Sequence, residues 1–414
     1  MKIKNIFAAV ALACVSTTAF PASPLSLDSC LNAVMHNNIA LAAERLNIPI
    51  ARAEEHAASV FNDPSLSFEY ANNDDHRMQM GQGYSVELGY TWSPGKRGAR
   101  KTLARSESEL AEALLDDYIR QLRLEAAIAY HEAVKAGELY AVAEQMSSSL
   151  ADIARGDSLG VAIGEVRQVD AMSTGVSARL AASEAASAYA EYNNARIALA
   201  TMMGCLDDAH SLQLNAPAAL IYPDIDERMA IAEAIDRRAD LRAALKNVEV
   251  AAMQVKVEGA ERKMDFDLAL GYNYNTEVKN ELAPAPRFSG ITVGVSIPLK
   301  FSNSNKGAIT AARLRREQAA LEYNQAETEV RAQVMSAIDT YRNAHAFYDS
   351  LDHSLLETSK SIYDSYLDAY RHGDVSLVEL MEVRENYSQI LTARSEARCN
   401  LGIAYATLLA AIGR

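Results

Sequence analysis

Hydrophobic positions along this chain follow two different periods, and the switches between them divide it into elements. Past Pro64 apolar residues fall at every second position, with Leu66, Phe68 and Tyr70 on one face and Ser67, Glu69 and Ala71 on the other. From Tyr84 to Trp92 the alternation returns: Tyr84, Val86, Leu88, Tyr90 and Trp92 against Ser85, Glu87, Gly89 and Thr91. Period two marks a strand with unlike faces, so strands are predicted at about 64–73 and 84–92. A second pair is predicted at about 266–275 and 288–299. There Phe266, Leu268, Leu270, Tyr272 and Tyr274 oppose Asp267, Ala269, Gly271 and Asn273, and Ile291, Val293, Val295, Ile297 and Leu299 oppose Gly290, Thr292, Gly294 and Ser296.

Elsewhere the period is helical. Leu110, Leu114, Ile119, Leu122, Ala126 and Ala129 belong to a proline-free stretch that predicts one helix at about 98–159. At the helical rise it runs for about 90 Å, far more than a globular core needs. Further long helices are predicted at about 164–203, 307–371 and 374–412, with shorter helical stretches at about 27–60 and 227–262. A less regular region at 210–226, with Pro217 and Pro223, reads as a linker.

The elements repeat at an offset of 209 residues. Gly98 returns as Gly307, Gly164 as Gly373 and Gly204 as Gly413. Gly-Glu-Val-Arg-Gln-Val-Asp at 164–170 is answered by Gly-Asp-Val-Ser-Leu-Val-Glu at 373–379, and Ala195 and Leu199 by Ala404 and Leu408. Such a period is too long for a solenoid unit. It implies that 20–209 and 227–414 are two copies of a strand–strand–helix–helix module.

Charge and composition then narrow the function. A net charge of −14 argues against a nucleic-acid partner, since phosphate binding needs a basic face. Past the N-terminus there is no apolar run of about 18 residues, which excludes a spanning α-helix. Lys2 and Lys4, the apolar run Ile6 to Val15 and the small residues up to Ala19 read as an export signal over 1–19. Cys30, Cys205 and Cys399 would remain after cleavage, an odd number that suits buried single thiols better than a disulfide framework. No nucleophile elbow, phosphate loop, zinc signature or dinucleotide fingerprint is present, so neither an enzyme nor a cofactor is expected.

Each predicted strand has about the length that a tilted strand needs to cross a membrane. Aromatic residues gather toward the strand ends, as interfacial girdles do, while Glu69, Glu87 and Asp267 lie on the opposite face, where a water-filled lumen would suit them. A small soluble sheet with one core face gives the same alternation. Four strands alone, however, leave two open edges, and closure with other copies removes them.

In order, a strand pair, Pro94-Gly95-Lys96-Arg97-Gly98, a long helix, a glycine tip and a return helix, all duplicated, resemble the TolC-like outer-membrane efflux factors. The Asp-Pro-Ser-Leu-Ser-Phe-Glu-Tyr run and the Pro-Gly-Lys-Arg-Gly segment are most similar to the cation-efflux branch. The resemblance implies a mixed fold: long α-helical hairpins forming a periplasmic tunnel, plus four antiparallel transmembrane strands per chain that complete a 12-stranded barrel in a homotrimer. It also implies outer-membrane location, with most of the chain in the periplasm. The expected role is a passive exit duct of a tripartite pump for metal cations or small toxic compounds. Its expected partners are a periplasmic adaptor, an inner-membrane transporter and outer-membrane lipid. The duct of a type I protein-secretion system shares this architecture, and a periplasmic coiled-coil interaction protein is the reading without a barrel.

Candidate sites follow from that resemblance. The tips near Gly164 and Gly373, with Val166, Val169, Val375, Leu377 and Val378 beside them, are where an adaptor would dock; alternatively these side chains pack within their own hairpins. Glu379 and Glu382 match the family's paired acidic positions at the narrow inner end of the tunnel and share one helix face. In a trimer they would set six carboxylates around one axis and favour cations; Asp170 is the acid that recurs in the first repeat. Where some members carry a latching arginine two residues after the tip glycine, this chain has Val375, leaving Arg167 or Arg384 as substitutes. His76, Met78 and Met80 are soft-metal ligand types in one loop, though three such residues in a loop are more often unrelated to metal.

Overall fold

A computed structural model describes residues 24–73, 79–215, 225–299 and 305–414. The expected export signal and part of the 210–226 linker lie outside these residues, as do His76 and Met78. Packing divides the chain into two compact units, each drawing on both halves of the sequence. One comprises Met1–Asn38, Arg123–Asp224 and Asp339–Thr407, the other Ile39–Leu122, Ile225–Ile338 and Leu408–Arg414.

The second unit contains the only sheet found among the described residues. Its strands are β1 (Ser65–Asn72), β2 (Gln82–Trp92), β3 (Phe266–Asn275) and β4 (Phe288–Ser296), all antiparallel in the order β1-β2-β3-β4. Register sorts the two faces cleanly. Leu66, Leu88, Leu270 and Val293 form one row across the sheet, and Phe68, Val86, Tyr272 and Ile291 form the next. On the other face Ser65, Gly89, Ala269 and Gly294 align, as do Ser67, Glu87, Gly271 and Thr292. The apolar face is bare: Leu66 is 74% exposed, Ile291 76% and Val293 76%. β1 and β4 are open edges. A soluble sheet buries its apolar face; this one leaves it uncovered.

The same unit also contains α2 (Ile39–Glu44), α3 (Asn47–Ala58), α6 (Glu227–Arg237), α7 (Ala239–Glu261) and the strand-proximal parts of α4 (Lys96–Ile163) and α8 (Lys306–Ser350). The elbows from strand to helix share an anchor. At the first, the buried Lys96 ammonium lies 2.7 Å from Asp265 and 3.1 Å from Glu261. At the second, Asn305 Nδ2 donates to the Glu258 carbonyl at 3.0 Å and to its carboxylate at 2.9 Å. Both elbows therefore hold the C-terminal end of α7.

The first unit holds α1 (Leu27–Asn37), α5 (Gln168–Met202), α9 (His353–His372), most of α10 (Leu377–Ile412) and the far parts of α4 and α8. Its N-terminal segment is fixed at both ends. Leu25 pairs with Leu214, Tyr130 Oη donates to the Leu25 and Asn215 carbonyls, and Asn38 Nδ2 donates to the Met202 carbonyl at 2.9 Å. Cys30, Cys205 and Cys399 are all free thiols; Cys30 and Cys399 are buried.

The duplicated glycines mark four copies of one backbone device. Gly164, Gly204, Gly373 and Gly413 all have φ between +67° and +87°. After each, the next amide donates five residues back: Glu165 to Gly160, Cys205 to Ala200, Asp374 to Ala369 and Arg414 to Leu409, at 2.9–3.0 Å. This is the glycine C-cap, in which a left-handed residue lets the chain turn back on its last carbonyls.

Three expected helices are interrupted. The 307–371 helix breaks between α8 and α9, because Asp352 takes an extended conformation and its carboxylate accepts from the Leu355 amide. Arg394 Nη1 donates to the freed Leu351 carbonyl at 3.1 Å. The 227–262 stretch breaks at Arg238, whose extended backbone caps both α6 and α7. The 27–60 stretch breaks at Asn38 and again near Leu46. The fourth strand ends at Ser296, short of the expected Leu299.

Candidate functional site

The two helical tips lie in the first unit and open their return helices in different ways. At the second tip, Ser376 and Glu379 form a capping box. The Ser376 amide and hydroxyl donate to one Glu379 carboxylate oxygen at 2.7 and 2.8 Å, while the Glu379 amide reaches the Ser376 hydroxyl at 3.4 Å. A Ser at the cap and Glu three residues on satisfy orphan donors reciprocally. These bonds hold the Glu379 carboxyl below its ordinary pKa of 4.5, the Ser376 amide contributing most. At the first tip the same two positions carry Arg167 and Asp170, joined by bonds of 2.8 and 3.2 Å.

The expected tip residues divide by exposure. Val169 and Val378 are 74% and 75% exposed. Val375, Leu377 and Val166 are half-buried. Val166 packs on its own hairpin: a Cβ built on Gly160 would meet its Cγ2 at 2.5 Å, so only glycine fits there. A groove of about 960 Å³ lies among the tips, lined by Gly160, Val166, Val169, Asp170, Val375 and Leu377 among others. Glu379 and Glu382 are both exposed. Unlike Glu379, whose oxygen is held by Ser376, Glu382 makes no ion pair with another described residue.

Neither substitute arginine ties one hairpin to the other. Arg167 is paired within its own helix start. Arg384 lies on the α10 face of Leu380 and Tyr387, mostly buried; its Nε has no hydrogen-bond partner among the described residues, and its nearest acid, at 3.6 Å, is the adjacent Glu385.

The hairpins are tied instead by two tyrosines that sequence reasoning missed. Tyr370 Oη on α9 donates to the buried Asp157 carboxylate on α4 at 2.8 Å. Burial, followed by the Asp157 and Asp170 charges, raises the Tyr370 phenol, so it stays a donor throughout the neutral range. One helical turn or two further from the tip, the Tyr363 and Ser149 hydroxyls lie 2.7 Å apart, and the Tyr363 ring stacks on Tyr387 with centroids 5.4 Å apart. Around them Met146, Leu150, Ile153, Ala181 and Leu380 form a continuous core. Asp157 and Tyr370 are 213 residues apart in sequence, and neither lies in a local motif.

In the sheet unit, Glu69, Glu87 and Asp267 all project from the small-residue face, where Thr91 Oγ1 donates to Asp267 at 2.6 Å. Met80 is half exposed, and Asn280 Nδ2 approaches its sulfur at 4.0 Å. Among the described residues no three His, Cys, Asp or Glu side chains are placed to hold a metal ion, and no helix is long and apolar enough to cross a membrane.

Comparison with known proteins gives a consistent result. Residues 230–414 match the family model described as outer membrane efflux protein. The cobalt-zinc-cadmium resistance protein CzcC of Cupriavidus metallidurans is 22% identical over 381 residues, covering 89% of this chain and 85% of its own. The Campylobacter jejuni CmeC outer membrane channel superposes with a TM-score of 0.77 at 16% identity, covering 94% of this chain and 85% of that one. CusC, whose structures concern transmembrane channel formation, gives 0.73 at 15% identity, covering 94% and 92%.

Proposed function

Since the chain belongs to the TolC-like outer membrane efflux proteins, we propose that it serves as the passive exit duct of a tripartite pump whose cargo is metal cations. The observation that carries the duct is the sheet. An uncovered apolar face, a face of small and polar residues, and two open edges together suit a segment of a closed barrel. Three chains supply twelve strands and six helical hairpins. An adaptor and an inner-membrane transporter complete the assembly, the adaptor meeting the exposed Val169 and Val378 beside the tip groove.

Likeness to a cobalt-zinc-cadmium resistance protein and the acids of the second tip support the cation cargo. Within a trimer, Glu382 turns a free carboxylate toward the axis while Ser376 holds Glu379 in place. Crowded carboxylates attract cations and repel anions. No chemistry is required of the duct: binding must only be weak enough for release. The Tyr370–Asp157 bond joins the hairpins in the resting arrangement, and a docked adaptor works against it.

The decisive experiment places charge on the apolar face. Val293→Arg sets a guanidinium in the Leu66–Leu88–Leu270 row, where mid-bilayer arginine costs about 2–4 kcal/mol. It should abolish recovery of folded protein from the outer-membrane fraction, while Thr292→Arg on the opposite face should not. Normal membrane assembly of the Val293 variant would leave a helical interaction protein as the better account.

A further inference from the structure

In the sheet unit, basic charge is concentrated where the strands end and the helices begin, and what it does rests on that reading of the sheet as lipid-facing. In a chain of net charge −14, residues 96–105 carry Lys96, Arg97, Arg100, Lys101 and Arg105 with no acid. Residues 306–316 carry Lys306, Arg313, Arg315 and Arg316, again with no acid. The two segments open α4 and α8, so the bias is present in both repeats. Lys96 is buried among acids, and Arg105 lies 3.4 Å from Glu109. Arg100, Lys101, Arg313, Arg315 and Arg316 are exposed and make no ion pair with another described residue.

The first cluster is continuous with the apolar face. Trp92 closes β2 on that face, with its ring 5.5 Å from Phe266. Four residues on, α4 begins, and Arg97 and Arg100 line one groove with Trp92 and Phe61. The Arg97 guanidinium sits 3.7 Å over the Phe61 ring, which is itself 65% exposed. Exposed aromatic rings, with cations immediately beyond them toward the helices, match the order of a leaflet: acyl chain, interface, phosphate. The charges of both segments fall within the first three helical turns, about a Debye length or two from where each helix begins.

We propose that these segments form a basic collar that selects anionic phospholipid of the periplasmic leaflet, with Arg97 and Arg100 above Trp92 and Phe61 as its best-formed headgroup site. The ligand is a phosphodiester carrying net negative charge on a diacyl lipid. Charge complementarity identifies it, and continuity with the lipid-facing sheet excludes a soluble anion as the principal occupant.

The full chain is reconstituted in phosphatidylethanolamine vesicles with and without phosphatidylglycerol, re-extracted in detergent, and weighed with its retained lipid by native mass spectrometry. Phosphatidylglycerol should be enriched about tenfold or more over its share of the bilayer, and the enrichment should fall in high salt. A variant with Arg100→Gln, Lys101→Gln, Arg315→Gln and Arg316→Gln should float with vesicles as the unaltered chain does, yet lose the enrichment. Equal retention of both lipids by the unaltered chain, or salt-insensitive retention, overturns the collar even if the variant misfolds. Retention of phosphatidylglycerol by a folded, floating variant overturns it as well. Failure of the unaltered chain to float removes the barrel itself, a different result.

Discussion

Replacing Tyr370 by phenylalanine should open the duct. The substitution keeps the ring in the hairpin core and removes one hydroxyl, whose bond to the Asp157 carboxylate is 2.8 Å long. Asp157 is only 7% exposed, so water cannot readily replace the lost donor. A hydrogen bond to a charged group contributes about 1.5–3 kcal/mol, and leaving its buried acceptor unmet costs at least as much. If the bond exists only in the closed arrangement, each protomer shifts toward open by about 10- to 100-fold, since each 1.4 kcal/mol is a factor of ten. Three protomers moving together sum to about 4.5–9 kcal/mol, enough to convert a channel that is closed almost always into one that is open most of the time. Single-channel recording in planar bilayers reads this directly as open probability. Tyr140→Phe is the control, because its hydroxyl bonds Glu144 within one helix and ties nothing across. An open probability in Tyr370→Phe indistinguishable from that of the control would show that this bond does not hold the hairpins shut.

Glu382→Gln should lower cation preference and weaken divalent block in the same bilayers. Glu379→Gln should do so less, and should also raise amide exchange over the first turn of α10 modestly, because a neutral amide oxygen accepts from Ser376 more weakly than the carboxylate does. The charge assistance is present at neutral pH and is lost as pH falls through the lowered pKa of Glu379, below 4.5; exchange in Glu379→Gln should lack this acid step. Lys96→Met should cost about 3 kcal/mol by stranding Glu261 and Asp265, read as a lower melting temperature of the assembled protein. Burial lowers the Lys96 pKa, but its bonds to Asp265 and Glu261 outweigh that, so the net shift is upward. Its contribution is therefore complete below the ordinary lysine value of 10.5 and disappears as pH rises through the raised one, and melting curves in alkali should show the variant losing less than the unaltered chain.

What the sequence disclosed tracks the range of the interactions. Alternation at Leu66–Tyr70 and Tyr84–Trp92 is local, and the side-chain period of a strand fixes the faces without knowledge of the partner. The glycine pairs were legible for the same reason, since a left-handed C-cap is a property of a few successive residues. The α8–α9 break was harder: Asp352 is a good cap residue in a stretch otherwise without breakers, and the carbonyl it frees is met by Arg394, 43 residues away. Ser376-Leu377-Val378-Glu379 has the spacing of a capping box, a local signal in the sequence that competes with the reading of Glu379 and Glu382 as a facing pair. The Tyr370–Asp157 and Lys96–Asp265 contacts have no local signature. They exist because duplicated elements return beside one another, and pairing across 213 or 169 residues follows from topology alone.

The inner face of the sheet has a consequence for what the duct discriminates. In the rows Ser65–Gly89–Ala269–Gly294 and Glu69–Ser85–Asn273–Gly290, six of the eight side chains are no larger than that of serine. In the proposed duct the calibre of the outer segment would then be set chiefly by the main chain, and a departing ion would meet mostly peptide groups and a few isolated carboxylates. Such a wall offers little with which to tell one solute from another. Discrimination falls to the helical end, and the outer opening can accept any cargo that has already passed the tips.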